Sequence, residues 1–112
     1  MKKYTLVVLT NAVAGLEEEY NDWYTNHHLT DVLKVPGIKA AQRFQQVGEP
    51  ISADPLYRYL ATYELETDDP KSVLAELTAR ANTPSMPLSP GLDQRLYCVL
   101  YEPISSKMMA NG

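Results

Sequence analysis

The chain has 112 residues, 45% apolar and 21% charged, the proportions of one soluble globular domain with its own core and no room for a second. A net charge of −4, with ten basic residues scattered rather than gathered into a stripe, argues against a nucleic-acid partner. No run approaches the roughly 18 apolar residues that span a bilayer, which argues against a membrane role. The single Cys98 leaves no internal disulfide and fits a reducing compartment, so the cytoplasm is the expected location.

Residues 4–10, Y-T-L-V-V-L-T, are apolar at successive positions and rich in β-branched side chains, which predicts a strand covered on both faces. The same stretch is too short and too strand-like for a signal peptide. After a turn at 11–15, Glu17, Glu18 and Glu19 fall in the first turn of a helix running to about residue 30, where the helix dipole favours acids. Val35-Pro36-Gly37 ends it. A second strand is expected from 38 to about 47, then a loop at 48–55 with two prolines, a glycine and two acids. Residues 57–65 alternate, with Tyr57, Tyr59, Ala61, Tyr63 and Leu65 on one face, and predict the third strand. Asp68 or Asp69 caps a helix that begins at Pro70 and packs through Val73, Leu74 and Leu77. Three prolines in 83–91 predict an irregular segment, a flap over what lies beneath. The fourth strand covers 94–102, with Cys98 expected as a buried structural thiol.

The order is β-α-β-β-α-β. It predicts an α+β, ferredoxin-like antiparallel sheet with two helices on one face, occupying residues 4–103, followed by a flexible tail at 104–112. Two helices cover only one sheet face. Strand residues of both parities are apolar, Leu6 with Val7 and Leu96 with Val99, so a second copy of the chain is expected against the other face, giving a homodimer.

The chemistry is concentrated between Tyr20 and Gly37, which holds both histidines and the only tryptophan. At 100° per residue, Tyr20, Trp23, Tyr24, His27, His28 and Asp31 share a sector about 140° wide, opposite Glu18, Asp22, Thr25 and Asn26. The plain reading of Tyr20, Trp23 and Tyr24 is core packing, and of the histidines a surface imidazole paired with an acid. Tyr57, Tyr59, Tyr63, Tyr97 and Tyr101 share parity within their strands and are expected to point into one space, either as the wall of an aromatic-binding pocket or as packing between two sheets. Arg43 is expected to pair with Glu64 across neighbouring strands or to bind an anionic group of a ligand. No Cys-x-x-Cys or His-Glu-x-x-His spacing points to a metal, and no glycine-rich loop points to a nucleotide cofactor.

Trp23, Tyr24, His28, Asp31, Val32, Leu33, Val35, Pro36, Gly37, Arg43 and Phe44 form the pattern W-Y-x-x-x-H-x-x-D-V-L-x-V-P-G-x-x-x-x-x-R-F. It resembles the EthD-like group of the dimeric α/β-barrel superfamily, as does the later Y-L-A-T-Y-E at 59–64. The resemblance implies the ferredoxin-like sheet and its closure, between two subunits, into a dimeric α/β barrel. It implies His28 as the functional histidine, whereas periodicity turns His27 further inward, at about 20° against about 120°. Asp31, one helical turn on, can orient an imidazole and raise its basicity, the requirement for a general base. The expected site is therefore His28 and Asp31 as catalytic residues, with Trp23, Tyr24, His27, Arg43, Tyr59 and Tyr63 around the substrate. The expected activity is cofactor-independent acid/base chemistry of lyase, dehydratase or isomerase type on a small aromatic or polyketide-like metabolite. The alternatives are a cofactor-free monooxygenase of the same fold and a non-catalytic dimer that binds a hydrophobic molecule.

Overall fold

The computed structural model describes residues 1–51 and 56–111; residues 52–55 of the expected loop, and Gly112 at the end of the expected tail, lie outside them. The chain runs through β1 (Lys2–Thr10), a helix in three parts, β2 (Ile38–Gln45), β3 (Tyr59–Thr67), α3 (Pro70–Arg80) and β4 (Tyr97–Tyr101). The parts of the helix are α1 (Glu17–Trp23), a π-helical turn (Tyr24–His28) and α2 (Leu29–Leu33). The strands form one antiparallel sheet in the order β2-β3-β1-β4, the ferredoxin-like arrangement.

Register sorts the side chains. Leu6 lies opposite Tyr63 on one side and Leu100 on the other, and Val8 opposite Ala61 and Cys98. This parity faces the helices, and the core forms there from Leu6, Ala61, Tyr63 and Leu65 with Tyr20, Tyr24, Val32 and Val73. The opposite parity, Val7, Leu9, Leu60, Phe44 and Val99, forms an apolar second face, on which Phe44 and Val99 are about 40% exposed (42% and 38%).

Local signals explain the corners. Asp69 supplies the cap of α3, its carboxylate accepting the Ser72 N–H at 3.3 Å, and Pro70 stands in the first turn. Gly37 turns the chain between helix and β2 with φ +99°, and a Cβ there would stand 2.8 Å from Val73 Cγ2, so position and packing both call for glycine. β4 is shorter than the expected 94–102. Asp93 accepts the Arg95 N–H at 2.9 Å, and that side-chain turn occupies the residues before Tyr97.

The five tyrosines do not share a space. Tyr59 and Tyr63 face the helices, Tyr57 precedes β3, and Tyr97 and Tyr101 stand on the second face with their hydroxyls against one another. Parity within a strand follows from its own alternation; the relative parity of β3 and β4 is set by their separate registers with β1.

Candidate functional site

A cavity of about 230 Å³ lies between the sheet and the helices. Leu6, Val8 and Tyr63 form its floor, Trp23, Tyr24 and His28 one wall, and Leu77 and Thr78 of α3 another. Met86, Leu88 and Leu92 supply the roof, so the proline-rich segment does cover a space. That roof is tied down. Trp23 Nε1 donates to the Pro87 carbonyl at 3.0 Å, Val13 N–H to the Gly91 carbonyl at 2.7 Å and Asp93 N–H to the Asn11 carbonyl at 3.0 Å.

His28 faces this cavity and His27 is exposed, against the regular-helix expectation. The cause is the π-helical turn. Leu29 N–H bonds the Tyr24 carbonyl five residues back, so the turn holds one residue more than an α-turn. An extra residue sets the following positions back by about 100°, which moves His28 into the direction an unbroken helix gives to His27. The His28 ring stacks on Trp23, with centroids 4.6 Å apart and planes at 30°, and meets Tyr24 edge-on at 5.0 Å. Its Nδ1 is buried and has no hydrogen-bond partner among the described residues. Burial lowers the imidazole from 6.5 to about 4; the Asp31 carboxylate opposes that and the Arg43 charge adds to it. His28 is therefore neutral at pH 7, with an unused nitrogen.

Tyr63 donates its hydroxyl proton to the Tyr24 oxygen at 3.1 Å, which leaves the Tyr24 proton available to a third group. Burial pushes Tyr24 up to about 12 and Tyr63 well above its usual range, so both remain neutral phenols. Cys98 is exposed as a residue at the edge of the sheet, not buried as expected, although its side chain reaches the cavity and burial there raises the thiol.

Of the expected site residues, the fold gathers Trp23, Tyr24, His28 and Tyr63 around the cavity. Asp31 lies outside the lining, with Lys34 Nζ at 3.9 Å, and acts on His28 through its charge, with no hydrogen bond between the two. His27, Arg43 and Tyr59 are also outside it. Arg43 does not meet Glu64. A bulge between Ile38 and Ala40 shifts the parity of β2, turning Arg43 toward the helices beside Ala61 while Glu64 faces the other way. There Nη1 donates to Thr25 Oγ1 at 2.8 Å and Nη2 to Asn21 Oδ1 at 3.0 Å, with the guanidinium carbon 4.5 Å from the centre of the Tyr24 ring. Tyr59 packs on Tyr20 at 5.0 Å, and its hydroxyl accepts from Asn21 Nδ2 at 3.2 Å. Thr10, Thr78 and Met86 were not anticipated in the lining. Met86 had a signal, as one of two large apolar residues, with Leu88, in the proline-rich flap; Thr10 and Thr78 had none.

Sheet order, helices on one face and a cavity between the layers define an α+β ferredoxin-like protein with a small-molecule-sized interior site. The solved structures it resembles include an EthD family protein from Bacillus halodurans C-125, at 14% identity, TM-score 0.53, and coverage of 93% of this chain and 100% of that one. They also include a monooxygenase candidate from Shewanella loihica PV-4, at 17%, 0.61, and 94% and 97%. A third is the haem degrader MhuD from Mycobacterium tuberculosis, solved with two haems in its active site, at 17%, 0.62, and 94% and 99%. The chain matches no family model and no curated protein by sequence. At these identities the likeness is one of fold.

Haem does not fit the cavity of this chain. A cavity of about 150 Å³ is filled by benzene, and a macrocycle of about forty heavy atoms needs several times the space present here.

Proposed function

We propose that the chain is a cofactor-independent acid/base enzyme of lyase, dehydratase or isomerase type acting on a small, neutral aromatic or polyketide-like substrate. The observation that carries this reading is a neutral His28 on the wall of an apolar cavity, its ring held in place by stacking on Trp23. The His28 imidazole takes the proton from a carbon next to a substrate carbonyl. The Tyr24 hydroxyl, whose oxygen already accepts from Tyr63, hydrogen-bonds the enolate oxygen as charge develops there. In a dehydration the C–O bond then breaks, and the departing hydroxide leaves as water with the proton that His28 carries. A base of low pKa suits an acidic C–H, and the apolar lining strengthens the pairing of imidazolium with enolate. Asp31 raises the basicity of His28 through its charge. The size also agrees, since about 230 Å³ accommodates one or two fused rings.

The assembly in this reading is a cytoplasmic homodimer, two sheets meeting across the apolar face of Val7, Leu60, Phe44 and Val99 to close a dimeric barrel, with the 104–112 tail free to reach the partner. The second reading is cofactor-free oxygenation of a phenol in the same cavity, favoured by the fold likeness to the Shewanella protein. A panel of aromatic and polyketide-like ketones tests both. Binding is measured first, then product formation and oxygen uptake. Product without oxygen consumption supports the lyase reading, stoichiometric oxygen uptake replaces it with the oxygenase, and binding without turnover leaves a carrier.

A further inference from the structure

Across Tyr24 from the His28 cavity, at the edge strand β2, lies a second cleft of about 190 Å³ lined by Asn21, Arg43, Phe44, Gln45 and Tyr59. The two spaces have no lining residue in common. Arg43 is the one charged group of this cleft, and among the described residues no carboxylate lies within ion-pair distance of it. Its guanidinium is crowded by three aromatic rings, Tyr24, Tyr20 and Tyr59, at 4.5, 5.2 and 5.5 Å from their centres. Neutral acceptors hold two of its nitrogens, and its Nε is buried with none. Arg43 is partly buried, and a buried donor such as its Nε–H is costly while no acceptor completes it.

The other lining groups add to the same demand. Tyr59 accepts from Asn21 Nδ2, and its own hydroxyl proton has no acceptor among the described residues; Gln45 is exposed at the rim. The Tyr59 ring contributes flat apolar surface on the helix side of β2. We propose that this cleft is a separate binding site for a small planar monocarboxylate, of the size of an aromatic acid such as benzoate, held by Arg43 and the Tyr59 hydroxyl. One cation selects a monoanion, the planar fork of a guanidinium suits a carboxylate, and the volume exceeds the roughly 150 Å³ that benzene fills. The cavity of His28, by contrast, has no cation in its lining and is suited to neutral molecules. The chain thus separates its two ligand chemistries.

Titration with benzoate, its neutral isostere benzamide, and inorganic phosphate, followed by calorimetry and amide shifts, tests this without measuring turnover, so the result stands apart from the acid/base reading. Benzoate is expected to saturate near about 1 mM, within the efficiency range of a nine-atom ligand, and benzamide to bind at least about tenfold more weakly. Gln45→Glu sets a carboxylate on the exposed rim without altering Arg43, and should weaken benzoate about tenfold or more at unchanged thermal midpoint. Arg43→Lys should weaken it as well, by removing the fork. His28→Gln should leave it unchanged. Benzoate binding that is absent, insensitive to both cleft variants, matched by benzamide or phosphate, or lost in His28→Gln would each overturn the assignment.

Discussion

Two adjacent imidazoles in one helix meet different surroundings, which makes them controls for one another. His27 is exposed, and His27→Gln should change stability by less than about 0.5 kcal/mol and leave turnover intact. His28→Gln keeps the size of the side chain but cannot cycle a proton, and should reduce turnover by about 10² to 10⁴ fold with the fold retained. The checks are kinetics and thermal midpoints on purified variants; near wild-type turnover in His28→Gln removes the acid/base mechanism. The acid limb of the pH profile gives a second test. Because burial lowers His28 to about 4, the rate should stay level on acidification past 6.5 and fall by half only near pH 4. Asp31→Asn should move that limb lower still, since the carboxylate supports the imidazolium. The same shift links to stability with a definite sign. The unfolded chain protonates at about 6.5 and the folded one only near 4, so this contribution is complete above 6.5 and declines by up to about 3 kcal/mol as pH falls through that window.

At the scale of elements, the deciding features are two departures from regularity. The π-helical turn selects His28 over His27, and the bulge in β2 directs Arg43 toward the helices. Each is an insertion of one residue into a periodic pattern, which leaves composition unchanged and alters only phase. Gly37 joins the two elements and is the most sensitive corner between them. Gly37→Ala meets both a left-handed backbone and Val73 at 2.8 Å, and should destabilise by about 1–3 kcal/mol in chemical denaturation. An unchanged midpoint would mean that α3 and this corner move apart more readily than their packing indicates.

The whole molecule presents one unresolved face. Val7, Leu60, Phe44 and Val99 lie outside the helix-covered core, and a second sheet is the natural cover for a flat apolar strand surface. Light scattering should give about twice the 12.6 kDa chain mass at micromolar concentration. Val99→Glu, a charge at the edge of that face, should shift the equilibrium to monomer with the helix-side cavity intact. A wild-type chain that stays monomeric and well folded would refute the dimer.

Sequence periodicity was sufficient for the order of elements, a cap at Asp68 or Asp69, the stop at Val35-Pro36-Gly37, the parity of Tyr59–Tyr63–Leu65 and the presence of a covering segment at 83–91. These depend on local backbone chemistry or on alternation within a single strand, both of which short windows of sequence contain. The tertiary structure alone decided which histidine faces inward, where Arg43 goes, and that Tyr97 and Tyr101 stand on the opposite face from Tyr63. Those outcomes depend on one-residue phase slips and on registers between strands distant in sequence, and a single slip reverses every side chain beyond it. The pattern around Trp23 and His28 singles out the histidine that lines the cavity, because it matches residue types by position and makes no assumption that the helix between them is regular.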